Sequence, residues 1–207
     1  MKKLLLILFS LFFLSSPSVF AEDISDFQIE RISIGDSLLD YMTEDEILRE
    51  IEGNKDDYLH KKDPNKYVEI YLRKDFPTYS YVSFFIKNNS TNKYITNKNE
   101  EYTILSIYGS IDYEEDFDSC IVKRDEIAEE LSMIFPSTNK LAGFFEHSID
   151  PSGNSIVDYV YFEFDSGAQI EASCDNFEET LRLENNWSEG LNIAINNAET
   201  TSWLRRK

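Results

Sequence analysis

The sequence predicts an α+β domain: a mainly antiparallel sheet, helices packed on one of its faces, and a helical pair at the N-terminal end. Three observations carry this. Helical and extended patterns come in blocks, not in the strict alternation that builds a parallel sheet. Several short segments alternate apolar and polar residues with the two-residue period of a half-buried strand. One long segment, residues 116–135, places Phe117, Cys120, Ile121, Ile127, Ala128, Leu131, Ile134 and Phe135 mostly on one helical face.

The first 21 residues stand apart from that domain. Lys2 and Lys3 give a positive start, residues 4–14 are apolar apart from Ser10, and Val19-Phe20-Ala21 has the small-x-small shape that signal peptidase cuts after. The apolar core is shorter than the roughly 20 residues a membrane span needs. A signal peptide over residues 1–21, cleaved after Ala21, is expected, leaving a single domain over residues 22–207 in the periplasm or outside the cell. No membrane span and no lipid-bearing N-terminal Cys are expected.

Each element has its own signal. Residues 23–34 open the domain, with Phe27, Ile29 and Ile32 as strand or anchoring positions. Asp36 reads as the N-cap of a short helix over residues 37–42. Thr43 and Glu46 read as a capping box for a second helix that stops at Gly53 and carries Ile47, Leu48 and Ile51 in one stripe. Residues 54–66 are polar, with Asp63-Pro64-Asn65 as a turn. Strands are expected over residues 67–73 (Val68, Ile70 and Leu72 on one side), 79–87 (Val82, Phe84, Ile86) and 102–113 (Leu105, Ile107, Ile111), with an exposed loop over residues 88–101. The helix over residues 116–135 begins behind acidic residues that complement its dipole and ends before Pro136. Strands over residues 141–149 and 155–164 flank a turn at Asp150–Asn154. Asp165-Ser166-Gly167 makes a tight hairpin into a strand over residues 168–174. A short strand over residues 191–195 and a helix over residues 198–204, anchored by Trp203, complete the chain.

Composition narrows function by exclusion. The formal net charge is −19, and losing Lys2 and Lys3 makes it more negative. Such a surface repels phosphate backbones and anionic headgroups, so nucleic acid is not an expected partner. Cations and basic partners are favoured, although acidity also serves plain solubility. Aromatic residues make up 14% of the chain, with Phe 15 and Tyr 12. Disordered chains are poor in such residues, so a packed core is expected.

Cys120 and Cys174 are the two cysteines. In an oxidising compartment they read as a disulfide, because the helical and strand patterns turn both sulfurs toward one helix–sheet interior. A redox or metal role would want a C-x-x-C spacing or a nearby His, and neither is present.

The other constellations each admit two readings. Asp112, Glu114, Glu115, Asp116 and Asp118 offer hard oxygens suited to calcium, but lack the Gly-turn and fixed spacing of an EF-hand loop; a solvated helix start is the favoured reading. Residues 150–155 read as a hairpin turn or as a weak cation loop. His147 reads as a base or as a core-edge histidine, and no G-x-S-x-G elbow supplies a nucleophile for it. His60 lies in a polar segment and is expected to be exposed. No phosphate-cradling glycine loop and no dinucleotide fingerprint occur. Carboxylates total 39, so the mere existence of a pair says nothing about glycoside hydrolysis. Tyr67, Tyr71, Tyr79, Tyr81 and Phe85 suggest a ring-lined outer sheet face suited to a sugar, a peptide or a partner strand. Tyr71, Tyr79, Tyr81 and His147 are thus the candidate ligand-binding residues. The leading expectation is a non-catalytic soluble periplasmic module that binds an unidentified protein or small ligand. A carboxylate-dependent hydrolase and a cation-stabilised envelope scaffold are the alternatives.

The run Ile32-Ser33-Ile34-Gly35-Asp36-Ser37-Leu38-Leu39-Asp40-Tyr41, with Cys120, Arg124-Asp125-Glu126-Ile127, the turn at Asp150 and Tyr161-Phe162-Glu163-Phe164, resembles small exported proteins of marine alphaproteobacteria with no assigned activity. That resemblance implies export and an α+β fold. Residues 32–53 are also similar to BamE-type outer-membrane assembly modules, which place an Ile/Gly segment before a helical pair and then strands.

Overall fold

The alternating segments pair as antiparallel strands of one sheet. The structure is a computed structural model and describes residues 23–88, 93–96, 100–113, 116–185 and 187–205. The predicted signal peptide lies outside these residues, as do parts of the predicted loop over residues 88–101. A small hairpin comes first, β1 (Gln28–Ile29) with β2 (Ile32–Ser33). Its two linking residues, Glu30 and Arg31, both have positive φ, the geometry that matches a two-residue turn to the strand twist. Then follow α1 (Glu44–Asn54), β3 (Tyr67–Leu72), β4 (Tyr81–Lys87), β5 (Ser106–Asp112), α2 (Phe117–Ile134), β6 (Asn139–Glu146), β7 (Ile156–Glu163), β8 (Gln169–Asn176), α3 (Glu179–Asn185), β9 (Gly190–Asn196) and α4 (Ala198–Arg205).

The main sheet has seven strands in the order β3-β4-β5-β9-β8-β7-β6, all neighbours antiparallel. Two meanders, β3-β4-β5 and β6-β7-β8-β9, meet where β9 pairs with β5. α2 carries the chain from the end of the first meander to the far edge, where the second begins.

One face of the sheet carries the apolar half of each strand. Val68, Ile70, Phe84, Ile107, Ile195 and Ile170 are buried there with Ile47 and Ile51 of α1 and Ala128 and Leu131 of α2. Arg124 on α2 is buried too, and its guanidinium bonds Asp158 of β7 and Asp125. Phe135, just past α2, packs its ring against Phe27 and Phe164. Asp116 caps α2 by accepting from the Ser119 amide at 3.1 Å.

Three expectations change. The N-terminal helical pair is a single α-helix preceded by one 3-10 turn, Leu38–Asp40. Ser37 caps that turn, because the Asp36 carboxylate is taken by the Ser33 amide at 2.9 Å and the Tyr41 hydroxyl at 2.7 Å. The helices are not all on one face: α4 sets Trp203 against Tyr67 and Phe85, on the face opposite the main core. α3 was not anticipated.

Candidate functional site

The strand registers align the second face in rows, two of which cross all seven strands. The first row runs Glu69, Phe85, Ser106, Asn196, Gln169, Glu163 and Asn139. α4 covers it: Trp203 packs on Phe85, and Arg205 bonds Glu163. The second row runs Tyr71, Ser83, Tyr108, Ala194, Glu171, Tyr161 and Leu141. The third runs Tyr81, Ser110, Asn192, Ser173, Tyr159 and Gly143, and the fourth Asp112, Gly190, Asp175, Val157 and Phe145. α1 and α2 pack on the other face, and the tyrosines, Glu171 and Asp175 of these rows keep part of their surface in solvent.

The open rows have a definite relief. Tyr71, Tyr81 and Tyr108 form one aromatic flank, with ring centroids 6.1 Å apart for the first pair and 5.8 Å for the second. Tyr159 and Tyr161 stack at 4.3 Å on the other flank. Gly143 makes room there, since a Cβ on it would sit 3.0 Å from the Tyr159 hydroxyl. Three strand spacings separate β5 from β7, so the flanks stand about 14 Å apart. Between them lie the short side chains of Ala194, Asn192, Ser110 and Ser173, together with Glu171.

Three carboxylates of this face, Glu69, Glu171 and Asp175, have pKa values raised by burial. Glu69 is buried and satisfied, accepting from the Ser83 hydroxyl and the Tyr58 hydroxyl, each at 2.6 Å. Burial raises its pKa and those two bonds oppose the rise. Glu171 and Asp175 make no ion pair among the described residues. Burial pushes Glu171 up to about 7, against a hydrogen bond with Ser173 and with help from the Asp175 charge. Burial also pushes Asp175 up to about 6. A relay positions Asp175: the Ser110 hydroxyl donates to Asn192 Oδ1 at 2.8 Å, and Asn192 Nδ2 donates to Asp175 Oδ2 at 2.7 Å. Rows two to four contain no Lys or Arg.

At its far end the face runs into a cleft of about 250 Å³, lined by Tyr113, Asp116, Phe117, Cys120, Asp175, Asn176, Glu189 and Gly190. Asp175 belongs to both.

The sequence candidates divide accordingly. Tyr71 and Tyr81 lie on the open face. Tyr79 does not: its ring turns to the core side and lies over Gly109, where a Cβ would come 2.6 Å from Tyr79 Cδ1. His147 follows β6 at the opposite edge of the sheet, its ring set against Phe177 and Trp187. Of the five proposed metal ligands, Glu114 and Glu115 lie outside the described residues. Asp112 ends β5, Asp116 caps α2 and faces the cleft, and Asp118 is exposed. Among the described residues no three His, Cys, Asp or Glu converge as a metal site. The Asp150 carboxylate accepts from the Ser152 and Ser155 amides at 2.8 and 2.7 Å, which is turn chemistry. Cys120 and Cys174 come together at disulfide distance, Cα to Cα 6.0 Å, between α2 and β8.

Tyr108, Tyr159, Tyr161, Glu171 and Asp175 were not singled out from the sequence. Their signal was the polar half of each alternating strand, which carries Tyr, Ser, Asn and acid in place of the usual mixed charges. No family model, no curated protein and no solved structure matches the chain.

Proposed function

We propose that this protein is an exported, non-catalytic binding module whose open sheet face receives a partner through its cationic groups. The observation that carries this reading is a pair of carboxylates outside any ion pair among the described residues, Glu171 and Asp175, set among five tyrosines in strand rows that contain no Lys or Arg; the guanidinium beside Tyr71, that of Arg73, is paired with Glu50. An ammonium or guanidinium group gains there from both the carboxylate charge and the ring faces. The net charge of −19 draws such a partner in and turns phosphate-rich ones away. Export is supported by the leader-like first 21 residues and by two cysteines at disulfide distance. No helix among the described residues is long and apolar enough to cross a membrane.

Calorimetric titration with a short poly-arginine peptide at about 0.15 M salt, where long-range attraction is largely screened, tests the assignment. Binding should weaken about tenfold in Tyr108→Ala and in Glu171→Gln. It should hold in Glu129→Gln/Glu130→Gln, which removes two exposed charges from α2. Comparable losses in Glu171→Gln and in the α2 double variant, with none in Tyr108→Ala, would reduce the binding to bulk charge and refute the site.

A further inference from the structure

The two edges of the sheet are treated differently. β3, at one edge, is buried at every position except Tyr71. β6, at the other, has seven exposed residues out of eight, and no strand among the described residues pairs beyond it. Leu141 is 44% exposed, Phe144 68% and Phe145 44%. A bare edge offers a row of unpaired amides and carbonyls, and proteins normally blunt it with a proline, a bulge or a central charge. The centre of β6, Leu141-Ala142-Gly143-Phe144-Phe145, has none of these, and it pairs with β7 without a break in register. Its only charges are Lys140 and Glu146, one toward each end, and neither makes an ion pair among the described residues.

We propose that two copies of this chain join edge to edge through β6, antiparallel and centred on Gly143, to make one continuous sheet. The sequence of β6 is self-complementary about that residue. In an antiparallel pair, residues directly opposite share a face. Centring on Gly143 sets Leu141 opposite Phe145 of the second copy and Ala142 opposite Phe144. Lys140 then falls opposite Glu146, twice by symmetry. Shifting the centre to Ala142 sets Lys140 opposite Phe144 and leaves Glu146 opposite Thr138, outside the strand. Charge and apolar matching therefore select one register, and the partner that supplies it is the same strand.

The join also extends the open face. Leu141 ends the row that holds Glu171 and Tyr161, and Phe145 of the second copy would continue that row. The pairing rests on the β6 edge alone and stands whether or not the face binds cations.

Sedimentation equilibrium of the purified protein at about 0.15 M salt, which screens the mutual repulsion of two acidic chains, tests the pairing. A dimer is expected. Lys140→Glu alone and Glu146→Lys alone each set like charges opposite one another at two symmetric positions, and each should weaken the dimer about tenfold. The double variant Lys140→Glu/Glu146→Lys restores both pairs and should regain the parental affinity. Both side chains are exposed, and circular dichroism checks that each variant is folded. A monomer persisting to roughly 100 µM would overturn the proposal. So would a dimer that neither single exchange weakens, or a double exchange that fails to restore one.

Discussion

Glu171 is where the open face has its largest energetic consequence. Its carboxyl sits between Ala194 and Tyr161 with Ser173 nearby, and burial moves its pKa from 4.5 to about 7. The folded value lies above the unfolded one. Its contribution to stability is therefore complete below about pH 4 and is lost as the pH rises through about 7. Glu171→Gln should raise Tm at pH 8 by a few degrees, at roughly 2–4 °C for each kcal/mol recovered, and leave Tm at pH 4 unchanged. Scanning calorimetry at the two pH values reads this directly. The same titration acts on binding in the opposite sense, because a cationic ligand needs the ionised form of Glu171 and loses it as the pH falls through about 7. Residue by residue, the alternation of each strand was legible, but the destination of an isolated ring was not. Tyr79 looks like Tyr81 in sequence, yet it precedes β4 and lies over the core-side gap left by Gly109. Only the close approach across β4 and β5 distinguishes the two.

Among the elements, α1 depends most visibly on a local signal. The Thr43 amide donates to Glu46 Oε2 at 2.8 Å, and Thr43 Oγ1 accepts from the Glu46 amide at 3.4 Å, which completes the capping box. Thr43→Ala should cost about 1 kcal/mol, and Thr43→Ser should retain most of it. Urea unfolding with an unchanged m-value would show the cost as a lower midpoint. This cap was legible because its four residues speak for themselves. The stop at Gly53 was one residue early, since Asn54 Nδ2 donates to the Glu69 carbonyl at 2.8 Å and ties the helix end to β3. That bond joins residues far apart in sequence and leaves no local trace. α3 was illegible for the opposite reason. It buries none of its side chains, and Leu183 is 63% exposed, so it carries no apolar stripe. Its start is held by Glu178, which accepts from the Leu181 amide at 3.0 Å.

At the scale of the whole molecule, the feature that local patterns could not supply is the order of the strands. The tyrosine face exists only because β9 inserts between β5 and β8, bringing residues 106–112 beside residues 190–196. Closing that pairing costs loop entropy, and the Cys120–Cys174 bond lowers the cost. Through the bridge, the path from the end of β5 to the start of β9 shrinks from about 80 residues to about 25. The bridge itself was legible, because helix and strand periodicity each aimed one sulfur inward. Cys120→Ser/Cys174→Ser should therefore lose about 4 kcal/mol, the chain-entropy value for a bridge with sequence separation 54. Two further readouts separate this origin from a mere loss of packing around two buried side chains. The urea m-value should rise, because the unbridged unfolded chain exposes more surface. Refolding should slow, because the β5–β9 pairing must now close the longer loop. A packing defect alone would lower the midpoint while leaving m and the refolding rate near those of the bridged protein. Stopped-flow refolding of the bridged and unbridged forms, followed by tryptophan fluorescence, decides between the two.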